Sequence, residues 1–265
     1  MRPIAELSEE DARRLRALLF DLDDTLLDGT TLTEAAYSSL FRLRESGLAL
    51  VAVTGRPSGW GEVIARQWPI DGAVTENGAV ACHLQGGKLE LSDFAGPRRA
   101  ERRARLDVIV RAVFERFPDL RASDDVSARR SDFTFDIGEH ERVPRAVVDE
   151  VRAFVRGLGA RTTTSSVHLH VTLDGLDKAA GAVRFLGARF GWDFTESTSV
   201  SAFIGDSEND AACFGAFRTT FAVHNFRTRL TVPPRFVTRG ERGTGFAEAA
   251  SVLVARRATG QKDAK

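Results

Sequence analysis

The sequence predicts an α/β protein: a doubly wound parallel sheet with a smaller α+β module inserted into it. Two observations point there. Short, wholly apolar runs alternate with segments of helical periodicity towards both ends of the chain, which is the rhythm of strand–helix–strand crossovers. From about residue 84 to 173 that rhythm gives way to helix–strand–strand, twice over. Such an order does not continue a parallel sheet and reads as a layer of its own.

Ala17-Leu18-Leu19-Phe20 is apolar throughout, as a strand covered on both faces must be, and it stops at Asp21-Leu22-Asp23-Asp24-Thr25. Residues 33–46 carry Ala36, Leu40 and Leu43 at helical spacing and end at Gly47, a helix stop. Leu48 to Val53 is a second buried strand and ends in Thr54-Gly55-Arg56-Pro57. A helix follows to about Gln67. A third strand, Gly72 to Thr75, runs into Glu76-Asn77-Gly78-Ala79.

Within the module, residues 99–117 form a helix with Leu106, Ile109, Val110, Val113 and Phe117 on its apolar side. Strands are expected around 125–130 and 132–137, a helix opened by Pro144 over 144–158, and two more strands around 160–164 and 167–173. The parallel-sheet rhythm returns with a helix from Asp177-Lys178 to about Gly191. A strand from Val200 to Ile204 then stops at Gly205-Asp206-Ser207-Glu208-Asn209-Asp210. A short helix, strands at Thr219–Val223 and near Phe236, and a last helix near 245–255 complete the chain, and the polar tail after Arg256 is expected to fray. The expected division is a catalytic core of residues 1–83 and 174–265 with an inserted module of 84–173.

The composition narrows the function. In 265 residues, 37 Lys and Arg balance 37 Asp and Glu, which argues against a dedicated nucleic-acid binder. A hydrophobic content of 43% excludes wholesale disorder. Two cysteines, Cys82 and Cys213, indicate no disulfide framework. No apolar run reaches about 18 residues, and the acidic opening MRPIAELSEEDARR does not read as a signal peptide, so the expected location is the cytoplasm.

The chemistry gathers where strands end. In an open parallel sheet, ligands bind beyond the carboxyl ends of the strands. Three polar clusters occupy such ends: Asp21/Asp23/Thr25, Thr54-Gly55-Arg56, and Asp206/Asn209/Asp210. Lys178 opens the helix just after the module. Asp21 and Asp206 end different strands, so they can share one hard cation; Mg²⁺ suits such an all-oxygen site. Asp21 is then a candidate nucleophile towards phosphorus, and Asp23 a general acid and base. Thr54, Gly55 and Asn209 are candidates to bind the phosphoryl oxygens, with Lys178 adding positive charge. Asp210 either takes part in the metal shell or orients Lys178. Each cluster alone is an ordinary turn or helix cap. The conjunction of all four, each after a buried run or at a helix start, carries the reading.

These residues resemble the haloacid dehalogenase-like hydrolase superfamily. Phe20-Asp21-Leu22-Asp23-Asp24-Thr25 is similar to its first motif, Thr54 in Val53-Thr54-Gly55-Arg56 to its second, Lys178 in Gly175-Leu176-Asp177-Lys178 to its third, and Gly205-Asp206-Ser207-Glu208-Asn209-Asp210 to its fourth. The resemblance implies an aspartyl-phosphate on Asp21 and Mg²⁺ held by the carboxylates of Asp21 and Asp206 and the backbone carbonyl of Asp23. The module's place and its αββαββ order resemble the type IIB cap, and the branch implied is that of the sugar-phosphate phosphatases. Asp24 departs from the glycine commoner at its position in that branch.

The module's strands alternate polar and apolar residues. Asp132, Thr134, Asp136, His168 and His170 share one face, which is expected to be open and to look down on the catalytic centre. Arg56, Arg130, His168 and His170 are candidates to meet the rest of the substrate, with Arg129 beside Arg130 as a further cation. The expected function is a Mg²⁺-dependent phosphatase of a sugar phosphate or related small metabolite. The rivals are a phosphomutase of the same superfamily and a non-catalytic binding protein.

Overall fold

The computed structural model describes residues 1–165, 167–225 and 230–258. In chain order the elements are β1 (Arg2–Pro3), α1 (Glu9–Arg14), β2 (Ala17–Phe20), α2 (Glu34–Glu45), β3 (Ala49–Val53), α3 (Ser58–Gln67), β4 (Gly72–Thr75), β5 (Val80–Gln85) and β6 (Lys88–Asp93). The module follows with α4 (Arg99–Arg116), β7 (Arg121–Ala122), β8 (Asp132–Asp136), α5 (Arg145–Gly157), β9 (Arg161–Thr164) and β10 (His168–Thr172). The chain then returns through α6 (Lys178–Phe190), α7 (Phe194–Val200), β11 (Ser201–Gly205), α8 (Ala211–Ala216), β12 (Thr219–Ala222), β13 (Phe236–Val237) and α9 (Arg242–Ala258). The end of the polar tail, 259–265, lies outside the described residues.

Nine strands form one sheet in the order β1-β13-β12-β11-β2-β3-β4-β5-β6. The pairs from β1 to β4 are parallel, and β5 and β6 run antiparallel at one edge. Alternation along β2 explains why both faces are covered. Leu18 and Phe20 pack with α2 and α9 through Leu40, Leu43, Phe246 and Leu253. Ala17 and Leu19 pack towards α6 and α8 through Phe185, Leu186 and Phe214. The order brings β2 between β3 and β11, so the loops after these three strands meet at one end of the sheet.

Two features depart from expectation. The β5–β6 hairpin extends the large sheet with residues up to Asp93, placed by sequence at the start of the module. The strand expected at 125–130 is instead a turn of helix over 126–128, and the short edge strand is β7. The cause is Arg129, whose guanidinium returns to the Asp125 carboxylate at 2.9 Å through two nitrogens. That spacing of four residues closes over a helical turn and not along an extended strand.

The second sheet, β7-β8-β10-β9, is antiparallel. Phe133, Phe135, Leu169 and Val171 pack from it against Leu106, Val110, Val113, Val148 and Val151 of α4 and α5. Its other face points at the carboxyl ends of the large sheet's strands. Cys82 and Cys213 are buried and unbonded to each other. Among the described residues no helix is long and apolar enough to cross a membrane.

Candidate active site

Asp21 follows β2 directly and Asp206 follows β11, so the pairing of these strands sets their carboxylates side by side. Lys178 reaches them from the first turn of α6 and is 2% exposed. Its Nζ lies 2.8 Å from an oxygen of Asp21 and 2.8 Å from one of Asp210. The ammonium is placed by backbone contact. Gly78, at φ +101°, and Gly181 meet so closely that a Cβ on Gly181 would lie 2.3 Å from the Gly78 Cα. The start of α6 thus rests on the turn after β4 with nothing between.

Asp210 is committed to this scaffold. One oxygen takes the Lys178 ammonium, and the other accepts from the backbone N–H groups of Asp206 (2.9 Å) and Ser207 (3.3 Å). Asp206 accepts from the Thr25 hydroxyl at 3.4 Å and from the Asn225 amide at 3.2 Å. The same Asn225 amide group donates to the Asp24 carbonyl at 2.9 Å, tying the loops after β2, β11 and β12 together. Asn225 went unnoticed in the sequence. Its signal was the one used elsewhere, a polar residue soon after a buried strand.

The charges here do not balance. Three carboxylates, Asp21, Asp206 and Asp210, have ligand atoms within 4.8 Å of one another and face one ammonium. Burial, offset in part by Lys178 and reinforced by Asp210 and Asp23, pushes Asp21 up to about 7. Burial and the charges of Asp210 and Asp21 push Asp206 up to about 8. Burial works against the Lys178 charge, but Asp21 and Asp210 overcome it and hold the ammonium well above its ordinary range. A largely buried, all-oxygen donor set with two negative charges in excess fits a hard divalent cation.

Asp23 and Arg56 form a fork, with guanidinium nitrogens 2.8 and 3.0 Å from the carboxylate. Arg56 also lies over the Trp60 ring, 4.6 Å from its centroid. Asp24 sits at φ +55°, the left-handed region where glycine costs least, which accounts for the glycine commoner there. The aspartate is held by an ion pair to Arg242 at 3.1 Å. Thr54 is buried, and its hydroxyl accepts from the Arg56 N–H at 3.1 Å. The Asn209 amide donates to the Asn77 side chain at 3.4 Å.

A cavity of about 230 Å³ opens above these groups. Asp21, Asp23, Gly55, Arg56, Lys178, Asp206 and Asn209 line it from the large sheet, and Arg129, Glu139, Ser165, His168 and His170 from the module. Arg130 does not line it; its guanidinium pairs with Glu62 at 3.2 Å instead. Thr54 and Asp210 lie outside the lining as well.

The module's polar face is not open as expected. Asp132, Thr134, Asp136, His168 and His170 are all buried. Asp136 accepts four backbone N–H groups of the loop 138–141. That loop brings Glu139 to His168, 2.7 Å away. His170 Nδ1 is 2.8 Å from Asp132, which Arg129 also contacts at 3.0 Å. Burial alone would raise Asp132, but Arg129 and His170 pull it down to about 2. His170 is itself lowered, chiefly by burial. The face is thus internally paired, and only part of it is left for a ligand.

Comparison with known proteins agrees with this architecture. The haloacid dehalogenase-like hydrolase family model matches residues 18–99. A phosphoglycolate phosphatase from Pyrobaculum neutrophilum is 31% identical over 242 residues, covering 90% of this chain and 96% of the relative. One from Archaeoglobus fulgidus is 26% identical over 90% of this chain and 96% of its own length. The fold superposes on the sucrose-phosphatase from Synechocystis solved with sucrose and phosphate, with a TM-score of 0.64 at 17% identity, covering 90% of this chain and 98% of that one. With that coverage and that set of strand-end residues, the chain belongs to the haloacid dehalogenase-like hydrolases, as a capped phosphatase of that family.

Proposed function

We propose that the chain is a Mg²⁺-dependent phosphomonoesterase of a small anionic metabolite, with a phosphorylated two- or three-carbon hydroxy acid such as phosphoglycolate as the foremost substrate. The observation that carries the reading is the pair of carboxylates, buried Asp21 and half-buried Asp206, sharing an uncompensated charge beneath the cavity.

Asp21, Asp206 and the backbone carbonyl of Asp23 would hold the ion, which supplies charge neutralisation for the carboxylates and the phosphoryl oxygens. Lys178 contributes the second positive charge, fixed by Asp210. An Asp21 oxygen attacks phosphorus in line, forming an aspartyl-phosphate while the phosphorus–oxygen bond of the ester breaks. Asp23, after exchanging the Arg56 fork for a proton from solvent, gives that proton to the departing oxygen. The same carboxylate then takes a proton from water, which attacks phosphorus, releases phosphate and restores Asp21. The cap face closes the cavity above and excludes bulk water.

Two facts favour a short substrate. The relatives named above are phosphoglycolate phosphatases. The cavity of about 230 Å³ lies below the ~300–1,000 Å³ of sites for drug-sized ligands, which leaves little room for a disaccharide phosphate. A phosphorylated monosaccharide is the second reading, favoured by Glu139, Ser165 and His168, which present hydrogen-bonding groups on the cap wall.

The test is phosphate release from a panel of phosphomonoesters with Mg²⁺ and with chelator. Phosphoglycolate is expected to lead by kcat/KM, without any bisphosphate activator. Asp21→Asn is expected to lower turnover by at least about a thousandfold with the fold intact. Full activity in that variant or in chelator refutes the mechanism, and a requirement for bisphosphate moves the protein to the mutases.

A further inference from the structure

Glu76 follows β4, is 3% exposed, and does not line the cavity. Its carboxylate is filled by backbone N–H groups. It accepts from Ser58 at the start of α3 (2.9 Å) and from three successive residues of the cap loop, Arg130 (3.0 Å), Ser131 (2.5 Å) and Asp132 (3.3 Å). Glu76 and Asn77 both hold left-handed φ angles, +51° and +53°, which residues bearing a Cβ seldom adopt. That turn sends the Glu76 N–H to the Arg56 carbonyl (3.0 Å) and the Asn77 N–H to the Thr54 carbonyl (3.1 Å). One residue therefore grips the loop after β3 with its backbone and the cap with its side chain.

The cap loop it grips is the one that completes the cavity. Arg129 precedes it and donates to the Gly55 carbonyl at 3.0 Å, while Asp132 holds His170. The same loop meets α3 a second time. The Ser58 hydroxyl donates to the Ala128 carbonyl at 3.2 Å, and a Cβ on Gly59 would lie 2.9 Å from the Ala128 Cβ.

We propose that Glu76 is a positioning residue that docks the cap on the core, setting Arg129 and His170 in register with the phosphate-binding loop. On this reading Glu76 governs recognition of the leaving group and leaves attack on phosphorus to Asp21 and Lys178. The proposal rests on the phosphatase reading above for its kinetic arm only.

Two variants approach the same contact from opposite sides. Glu76→Gln keeps the shape of the side chain but turns an amide donor towards N–H donors. Gly59→Ala leaves Glu76 untouched, favours the helix, and pushes on Ala128. Amide hydrogen exchange and steady-state kinetics are measured on the full chain with Mg²⁺. Both variants are expected to speed exchange at 130–132 at least tenfold, with β2, β3 and β11 unchanged. Both are expected to lose at least tenfold in kcat/KM for phosphoglycolate, or for whichever metabolite leads the panel. For acetyl phosphate, which lacks the terminal carboxylate, the loss is expected to stay below threefold.

Unchanged exchange at 130–132 in both variants overturns the proposal. So does faster exchange with equal losses on both substrates, since Glu76 would then act through the fold or the chemistry. If the wild-type chain hydrolyses no phosphomonoester, the phosphatase reading fails and the exchange arm alone decides the docking claim.

Discussion

The core and the cap each bury a cluster of charges, and the two are built to opposite ends. In the core, three carboxylates confront one lysine, and two of them, Asp21 and Asp206, are pushed up to about 7 and 8. In the cap, Asp125 and Asp132 surround the Arg129 guanidinium and Asp132 also takes His170, so that Asp132 is drawn down to about 2. The cap cluster is satisfied as it stands. The core cluster is stabilised only when something positive arrives. On the function proposed above, the difference separates a scaffold from a reaction centre, the unbalanced charge standing where a cation and a phosphoryl group would be handled.

Removing the Lys178 ammonium should break this contrast most severely. Lys178→Met leaves three carboxylates without an internal counterion, at an expected cost of about 3–5 kcal/mol in denaturant unfolding measured in chelator. Mg²⁺ should restore part of that stability, while kcat falls on the order of 10²–10³-fold. A Lys178→Met protein as stable as the parent in chelator would mean the core cluster is not frustrated.

The cap counterpart is Asp132→Asn, which leaves Arg129 with the Asp125 carboxylate and the Gly55 carbonyl. A stability loss of about 2–3 kcal/mol is expected, with kcat on acetyl phosphate held within about threefold. A larger loss in kcat would place the cap cluster in the chemistry.

Titration sharpens the comparison next. Asp21 and Asp206 bind protons more tightly folded than unfolded, where carboxyls titrate near 3.9. Through these two groups the folded metal-free protein holds more protons than the unfolded chain, so their contribution to stability should fall as pH rises from about 4 through 8, while His170, lowered by burial, works in the opposite direction. Mg²⁺ competes with those protons, so the gap in Tm between Mg²⁺ and chelator should widen over the same range. A gap independent of pH would deny that these two groups share the ion. Asp132 contributes with the opposite sign, its stabilisation being lost only as pH falls below about 4 towards 2.

The smallest effect is expected from Arg130→Ala. The Arg130–Glu62 pair is half exposed, so stability should change by no more than about 0.5 kcal/mol, and KM should not move. A raised KM would return Arg130 to the substrate wall.

Much of this was legible in the chain itself. β2, β3, β4 and β11 were readable because each is apolar on both faces and ends in a polar cluster, and those ends are where Asp21, Thr54 and Asp206 stand. The β5–β6 hairpin was not, because its buried run is only Val80, Ala81 and Cys82, directly after a turn, and beyond it Leu84, Leu89 and Leu91 alternate with polar residues at an edge. The pairing of the cap face was also hidden. Alternation shows that Asp132, Asp136, His168 and His170 share a face, but whether water or partners satisfy them depends on loops such as 138–141 folding back. Arg129 and Arg130 are identical in type and adjacent; only the turn at 126–128 decides that the first faces inward. Glu76 was visible as a letter in a motif, but the three N–H groups it takes from the cap lie more than fifty positions away.

The meeting of Gly78 with Gly181 has a consequence for how this protein tolerates change. Neither residue touches the cavity, and neither has a side chain to lose. A methyl group on either would lever the start of α6 off its seat and carry the Lys178 ammonium away from Asp21. In a library of all single substitutions scored for growth or turnover, both positions should be as intolerant as Asp21, a dead zone set by absent atoms.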